Sequence, residues 1–219
     1  MAKSLIGALF VAGISASAVF AQSAQSTEER QIDRFNHLEM SGRFDVIFTP
    51  SDTPRLVMQG DPEDIRDIDI SLRNGRLEIE QDRGVRRWFG RARDLDVVVF
   101  VEGPGVEEFD ASRGMDAQIN DLTLTNLDMD VSTGASVRVS GNCESGSFNV
   151  STGASLNGRE LDCGYVRANA STGASMRVNA TDELHANVST GADVYSMTSP
   201  DVFRSNTSTG GNVRIGDRN

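Results

Sequence analysis

A three-residue motif at near-constant spacing restricts this chain more than any other feature. Ser-Thr-Gly occurs five times, and its glycines Gly134, Gly153, Gly173, Gly191 and Gly210 are 19, 20, 18 and 19 residues apart. Ser112-Arg113-Gly114 is a degenerate earlier copy, with Gly114 placed 20 residues before Gly134. A fixed period of this length marks a stacked-repeat architecture. The flanking residues keep step. An apolar–polar–apolar triplet follows the corners, as in Val137-Arg138-Val139, Met176-Arg177-Val178 and Val213-Arg214-Ile215. Alternating apolar pairs precede them: Met129 and Val131, Phe148 and Val150, Ala186 and Val188. Period-two alternation describes strands with one buried face. A unit of about 19 residues cannot bury that face alone, so successive units must stack.

The expected fold is therefore all-β: a single-stranded parallel β-helix, or solenoid, with coils of about 19 residues and less regular N-terminal coils. The Leu-x-x-Leu-x-Leu pattern of leucine-rich repeats is absent, as is the Gly-Gly-x-Gly-x-Asp calcium nonapeptide. No helix is expected after the N-terminal segment.

Stacking predicts columns of side chains. Four residues after the corner glycines lie Arg138, Asn157, Arg177, Tyr195 and Arg214, a candidate polar face in which charged and uncharged rungs alternate. Four residues before them lie Asp130, Asn149, Asn169, Asn187 and Asn206, a column that can chain amide to amide. Both serve as ladder-stabilising surface, or as a flat face for a sugar or another surface. Cys143 and Cys163, the only cysteines, each sit ten residues before a corner glycine. Equivalent positions on adjacent coils fall within the ~4.4–6.8 Å Cα window of a disulfide. A disulfide between them is expected, with stacked free thiols as the alternative.

The N-terminus carries one charge at Lys3, an apolar run from Leu5 to Ile14, and small residues leading to Val19-Phe20-Ala21. That order is a secretory signal peptide, residues 1–21, with cleavage after Ala21 and with Ala18 or Ala24 as alternatives. The run is shorter than the ~20 residues a membrane span needs, and no transmembrane span is expected in residues 22–219. Residues 22–32 read as a flexible leader, and residues 33–216 as one domain. Lys3 is the only lysine, so 20 arginines against 32 carboxylates leave the mature chain at −12. Nucleic acid is not an expected partner of so acidic a chain.

Residues 33–110 are β-rich but irregular, and read as the first coils with longer excursions that cap one end, with a separate β-subdomain as the alternative. Asn74-Gly75, before Leu77-Glu78-Ile79, signals a hairpin. Between strands lies a basic, aromatic segment with Arg83, Arg86, Arg87, Trp88, Phe89, Arg91 and Arg93. It is a candidate binding loop for an anionic glycan or lipid headgroup, or an elongated hairpin whose arginines neutralise nearby carboxylates.

Catalytic motifs are missing: no Gly-x-Ser-x-Gly, no His-Glu-x-x-His, no phosphate loop. His37 and His185 stand alone without ligand spacing, so no metal site and no cofactor are expected. Asp130, Arg138 and Arg177 are the residues that could imitate the mixed-charge cluster of a β-helical polysaccharide lyase or hydrolase.

The run Met40-Ser41-Gly42-Arg43-Phe44-Asp45-Val46, then Leu56-Val57-Met58-Gln59-Gly60-Asp61, Gly75-Arg76-Leu77-Glu78-Ile79 and the Ser-Thr-Gly-Ala-Ser-Val-Arg-Val units resemble the bacterial head-GIN domain, over roughly residues 33–216. That family is known as an autotransporter-adhesin head of unknown activity. The resemblance implies a β-helical fold and an envelope or extracellular setting, and brings no catalytic residues. The leading expectation is an exported, non-catalytic envelope or surface module that binds a glycan or envelope protein. A carbohydrate-active β-helix enzyme and an envelope scaffold or assembly protein are the alternatives.

Overall fold

The structure, a computed structural model, describes residues 25–82 and 93–216. The first half holds β1 (Ser26–Gln31), β2 (His37–Ser41), β3 (Asp45–Pro50), β4 (Arg55–Gly60), α1 (Pro62–Arg66), β5 (Ile68–Arg73), β6 (Arg76–Gln81), β7 (Val97–Gly103) and β8 (Glu108–Ser112). The repeats supply β9 (Asp116–Val131), β10 (Ser136–Val150), β11 (Ser155–Ala170), β12 (Ser175–Val188), β13 (Asp193–Ser196), β14 (Val202–Thr207) and β15 (Asn212–Ile215). Together they build a parallel β-solenoid of about 5 turns.

Two parallel ladders run along it. One stacks β7, β3, β9, β10, β11, β12, β13 and β15. The other stacks β6, β2, β8, β9, β10, β11, β12 and β14. The long strands β9 to β12 bend from one ladder into the other. The alternation read from sequence points the expected residues inward. Val137, Leu156, Met176 and Val194 form one buried column, and Met129, Phe148, Ala168 and Ala186 another. Phe109 extends the second column and meets Phe48 edge-on, with ring centroids 5.2 Å apart.

The Ser-Thr-Gly corners are two-residue turns with both central residues left-handed. Thr172 has φ 52° and Gly173 φ 71°, and Ala174 N donates to Ser171 O at 3.2 Å. That is the type I′ geometry, which demands positive φ twice. Gly114, Gly134, Gly153, Gly191 and Gly210 likewise have positive φ. A Cβ on Gly173 would meet nothing within 4 Å, so backbone conformation rather than space requires glycine there. Successive turns also bond to one another, Gly153 N to Thr172 O and Gly173 N to Thr190 O, both at 3.0 Å.

The first half continues the solenoid, with a rearranged order. β6 and β7 form a rung outside β2 and β3, although they follow them in sequence. The β5–β6 hairpin turns at Asn74-Gly75, as its dipeptide signals. β4 then pairs antiparallel with β7, and β1 with β4, closing this end. The supposed flexible leader is thus a strand over Ser26–Gln31. Its polar sequence misleads because an edge strand is held by backbone hydrogen bonds and needs no apolar face; Arg55 adds an ion pair to Glu29 at 2.9 Å. A second difference is α1, where no helix was expected. Asp61 caps it by accepting from Glu63 N at 2.8 Å, and Pro62 starts it. Among the described residues, no helix is long and apolar enough to cross a membrane.

Candidate binding face

Arg138, Asn157, Arg177, Tyr195 and Arg214 do form a single column, in register from β10 through β11, β12 and β13 to β15. Gln118 extends it on β9. Arg138, Arg177 and Arg214 each stand between two inward apolar neighbours, Asn157 between Leu156 and Gly158, and Tyr195 between Val194 and the buried Ser196, so period two sends each of them outward. The column of Asp116, Ser136, Ser155, Ser175, Asp193 and Asn212 runs beside it, two residues earlier on the same face. Around the last coils lies an open groove of about 520 Å³, lined by Arg159, Arg177, Asp193, Tyr195, Asn212 and Arg214 among others. Sequence reasoning missed Arg159. Its spacing two residues after Asn157 was the available signal.

Charge sets this face apart. Arg55, Arg76 and Arg204 each hold a carboxylate elsewhere on the molecule, at 2.7–2.9 Å. Arg138, Arg159, Arg177 and Arg214 hold none among the described residues. Guanidinium groups stay charged at any physiological pH. Tyr195 presents its ring with 36% of its surface exposed. The nearby carboxylate of Asp193 accepts from Asn212 Nδ2 at 2.9 Å. Farther along, Asp45 and Asp116 stack on adjacent rungs; burial and then the Asp116 charge hold the Asp45 carboxyl above its usual pKa.

The second ladder carries the predicted amide column. Asn187 Nδ2 donates to Asn169 Oδ1, and Asn169 Nδ2 to Asn149 Oδ1, both at 2.9 Å. Asn149 donates to Asp130, where the ladder changes to carboxylates: Asp130, Asp110, Glu39 and Glu78 follow on successive rungs. Burial, then Asp110, raise the Asp130 pKa, and the Asn149 amide opposes them. Asp130 therefore belongs to a different column from Arg138 and Arg177, and the three do not form the mixed-charge cluster considered from sequence.

The topology also assembles a group that linear spacing concealed. Donor atoms of His37, Glu39 and Asp110 lie within 4.8 Å of one another. His37 is buried, its Nδ1 3.0 Å from Glu108 Oε2 and its Nε2 2.8 Å from Asp110 Oδ2. Glu39 meets Arg76 at 2.8 Å. The three could ligate a cation, but protein partners already hold them, and a rung of the solenoid is fastened by the result.

Cys143 and Cys163 are disulfide-bonded across adjacent rungs, with Cα atoms 4.5 Å apart. Of the basic, aromatic loop, Arg83, Arg86, Arg87, Trp88, Phe89 and Arg91 lie outside the described residues. Arg93 pairs with Asp64 and, at 3.4 Å, with Asp67. Asp64 in turn accepts from Asp96 N at 2.8 Å. Arg93 thus fastens α1 to the chain entering β7 rather than standing free.

A parallel solenoid with one acidic-to-amide ladder and one arginine-bearing face is a repeat scaffold that presents long flat surfaces. The chain belongs to the family described as "Putative auto-transporter adhesin, head GIN domain", which matches residues 34–200. The crystal structure of a putative adhesin from Bacteroides fragilis has a TM-score of 0.70 to it, at 15% identity, covering 89% of this chain and 98% of that one. A structure titled putative lipid binding protein, from Parabacteroides distasonis, gives 0.52 at 15% identity, covering 87% and 96%. No curated protein sequence matches the chain. The shared fold is that of an adhesin-like head domain, consistent with a surface module.

Proposed function

We propose that this chain is a non-catalytic module of the cell envelope or surface that binds a glycan through its arginine-bearing face. One observation carries the reading: Arg159, Arg177 and Arg214 line a groove around the exposed Tyr195, with Arg138 farther along the same face, and none of the four holds an ion pair among the described residues, in a chain of net charge −11. Unpaired guanidinium forks suit carboxylate and sulfate groups, and an amphipathic aromatic ring suits the face of a sugar. Export is supported by the signal-peptide pattern of residues 1–21. The non-catalytic assignment is supported by the groove, where Asp193 is the only carboxylate among the described lining residues. Glycoside hydrolysis by the usual route needs two.

A glycan array with the chain from Gln22 onward, beside an Arg177→Ser/Tyr195→Ala variant, tests this. Binding by the parent and its loss in the variant is the expected result. Equal binding by both relocates the site, and shortened glycans after incubation refute the non-catalytic assignment. The N-terminus of exported protein should read from Gln22; retention of Met1 would refute export by cleavage.

A further inference from the structure

The arginine column has a period of its own. Arg138, Arg177 and Arg214 occupy every second rung, with Asn157 and Tyr195 on the rungs between. Rungs are roughly 4.8 Å apart, so the guanidinium groups repeat at roughly 9.6 Å along the solenoid axis. Two linked pyranose rings in an extended chain span a comparable length. We propose that this face takes a linear acidic polysaccharide, laid along the solenoid axis and carrying one anionic group per disaccharide. The inference rests on the glycan-binding reading of the same face.

Each part of the face has a role in that pose. The arginines meet the charged sugar of each repeat as bidentate donors. Asn157 and Tyr195 meet the uncharged sugar between them, one by hydrogen bonds and the other with its exposed ring. Arg159 adds a second positive charge beside Arg177 in the groove. The neighbouring column bears Asp116 and Asp193, which repel a polyanion and hold it over the arginines instead of letting it spread sideways. A nucleic-acid strand fits less well, because its phosphates recur every ~3.4 Å of duplex axis, about three charges for each guanidinium of the column.

The test is calorimetric titration of the chain from Gln22 onward with three size-fractionated series of equal lengths. The first alternates a uronate with a neutral N-acetylhexosamine, the second is a homopolymeric uronate, and the third is neutral. Affinity for the alternating series should rise about two- to fivefold with each added disaccharide up to three repeats and then level, as expected of exposed charge pairs. Arg177→Ser, which breaks no ion pair, should abolish the gain at the middle repeat while leaving the melting temperature unchanged. Homouronate affinity that climbs in proportion to total charge would overturn the register. So would equal affinity for neutral and alternating chains, although glycan binding itself would then stand. Failure of all three series to bind would overturn the glycan reading along with the inference.

Discussion

Replacing Asp130 with asparagine should stabilise the protein at neutral pH and do nothing at acid pH. Asp130 sits at the junction where the amide column meets the carboxylates, next to Asp110 on one rung and Asn149 on the other. Burial first, then the charge of Asp110, raise its pKa, with Asp128 and Glu108 adding smaller repulsions. A raised folded-state value means that the native protein favours the protonated carboxyl. The associated stability is complete below the unfolded value of ~3.9 and is lost as pH rises through the folded value. At neutral pH the native state therefore carries an unrelieved repulsion. Like charges about 5 Å apart in a water-like medium repel by about 0.8 kcal/mol, and salt screens part of this. Asp130 keeps solvent access, and the Asn149 bond weakens when its acceptor loses charge. A net gain of about 0.5–1 kcal/mol follows, or about 1–4 °C for a chain of this size. Asparagine retains an acceptor for Asn149 and extends the ladder by one amide. Thermal unfolding followed by circular dichroism at pH 7 and pH 3 reads the effect. An equal gain at both pH values would assign it to the amide ladder rather than to charge. A loss at pH 7 would refute the reasoning outright.

Other perturbations separate the forces in the coil. Reducing the Cys143–Cys163 disulfide, which spans 20 residues, should cost about 3 kcal/mol, seen as a lower denaturant midpoint. Leu156→Ala removes a fully buried side chain between Val137 and Met176, and should cost about 2–5 kcal/mol in the same assay. The corner residues should respond with opposite signs. Gly173→Ala loses about 1 kcal/mol through its positive φ, with no steric clash, whereas Thr172→Asn gains a few tenths or more because asparagine tolerates the left-handed region that a β-branched residue resists.

The repeat half was legible because period carries both register and direction. Once Gly134, Gly153 and Gly173 are taken as equivalent, Cys143 must face Cys163, Asn149 must face Asn169, and Arg138 and Arg177 must share a column. The first half yielded less. β1 is polar, and its reason for pairing is the free edge of β4, which no property of residues 26–31 announces. α1 is too short for periodicity, though Asp61-Pro62 is a start signal. The insertion of β2 and β3 between the β6–β7 rung and β8 reorders the coils in a way that no spacing encodes. The same crossover brings Asp110 to His37, 73 residues away, and so hid that cluster from sequence.

On the proposed reading, ligand lies over the arginine column. Hydrogen exchange of the chain from Gln22 onward, with and without an acidic polysaccharide that binds it, maps that contact directly. Added protection should fall on 136–139, 155–159, 175–178, 193–196 and 212–215, and leave the amide ladder at Asn149, Asn169 and Asn187 unchanged. Protection confined to that ladder or to residues 83–93 would contradict the claim.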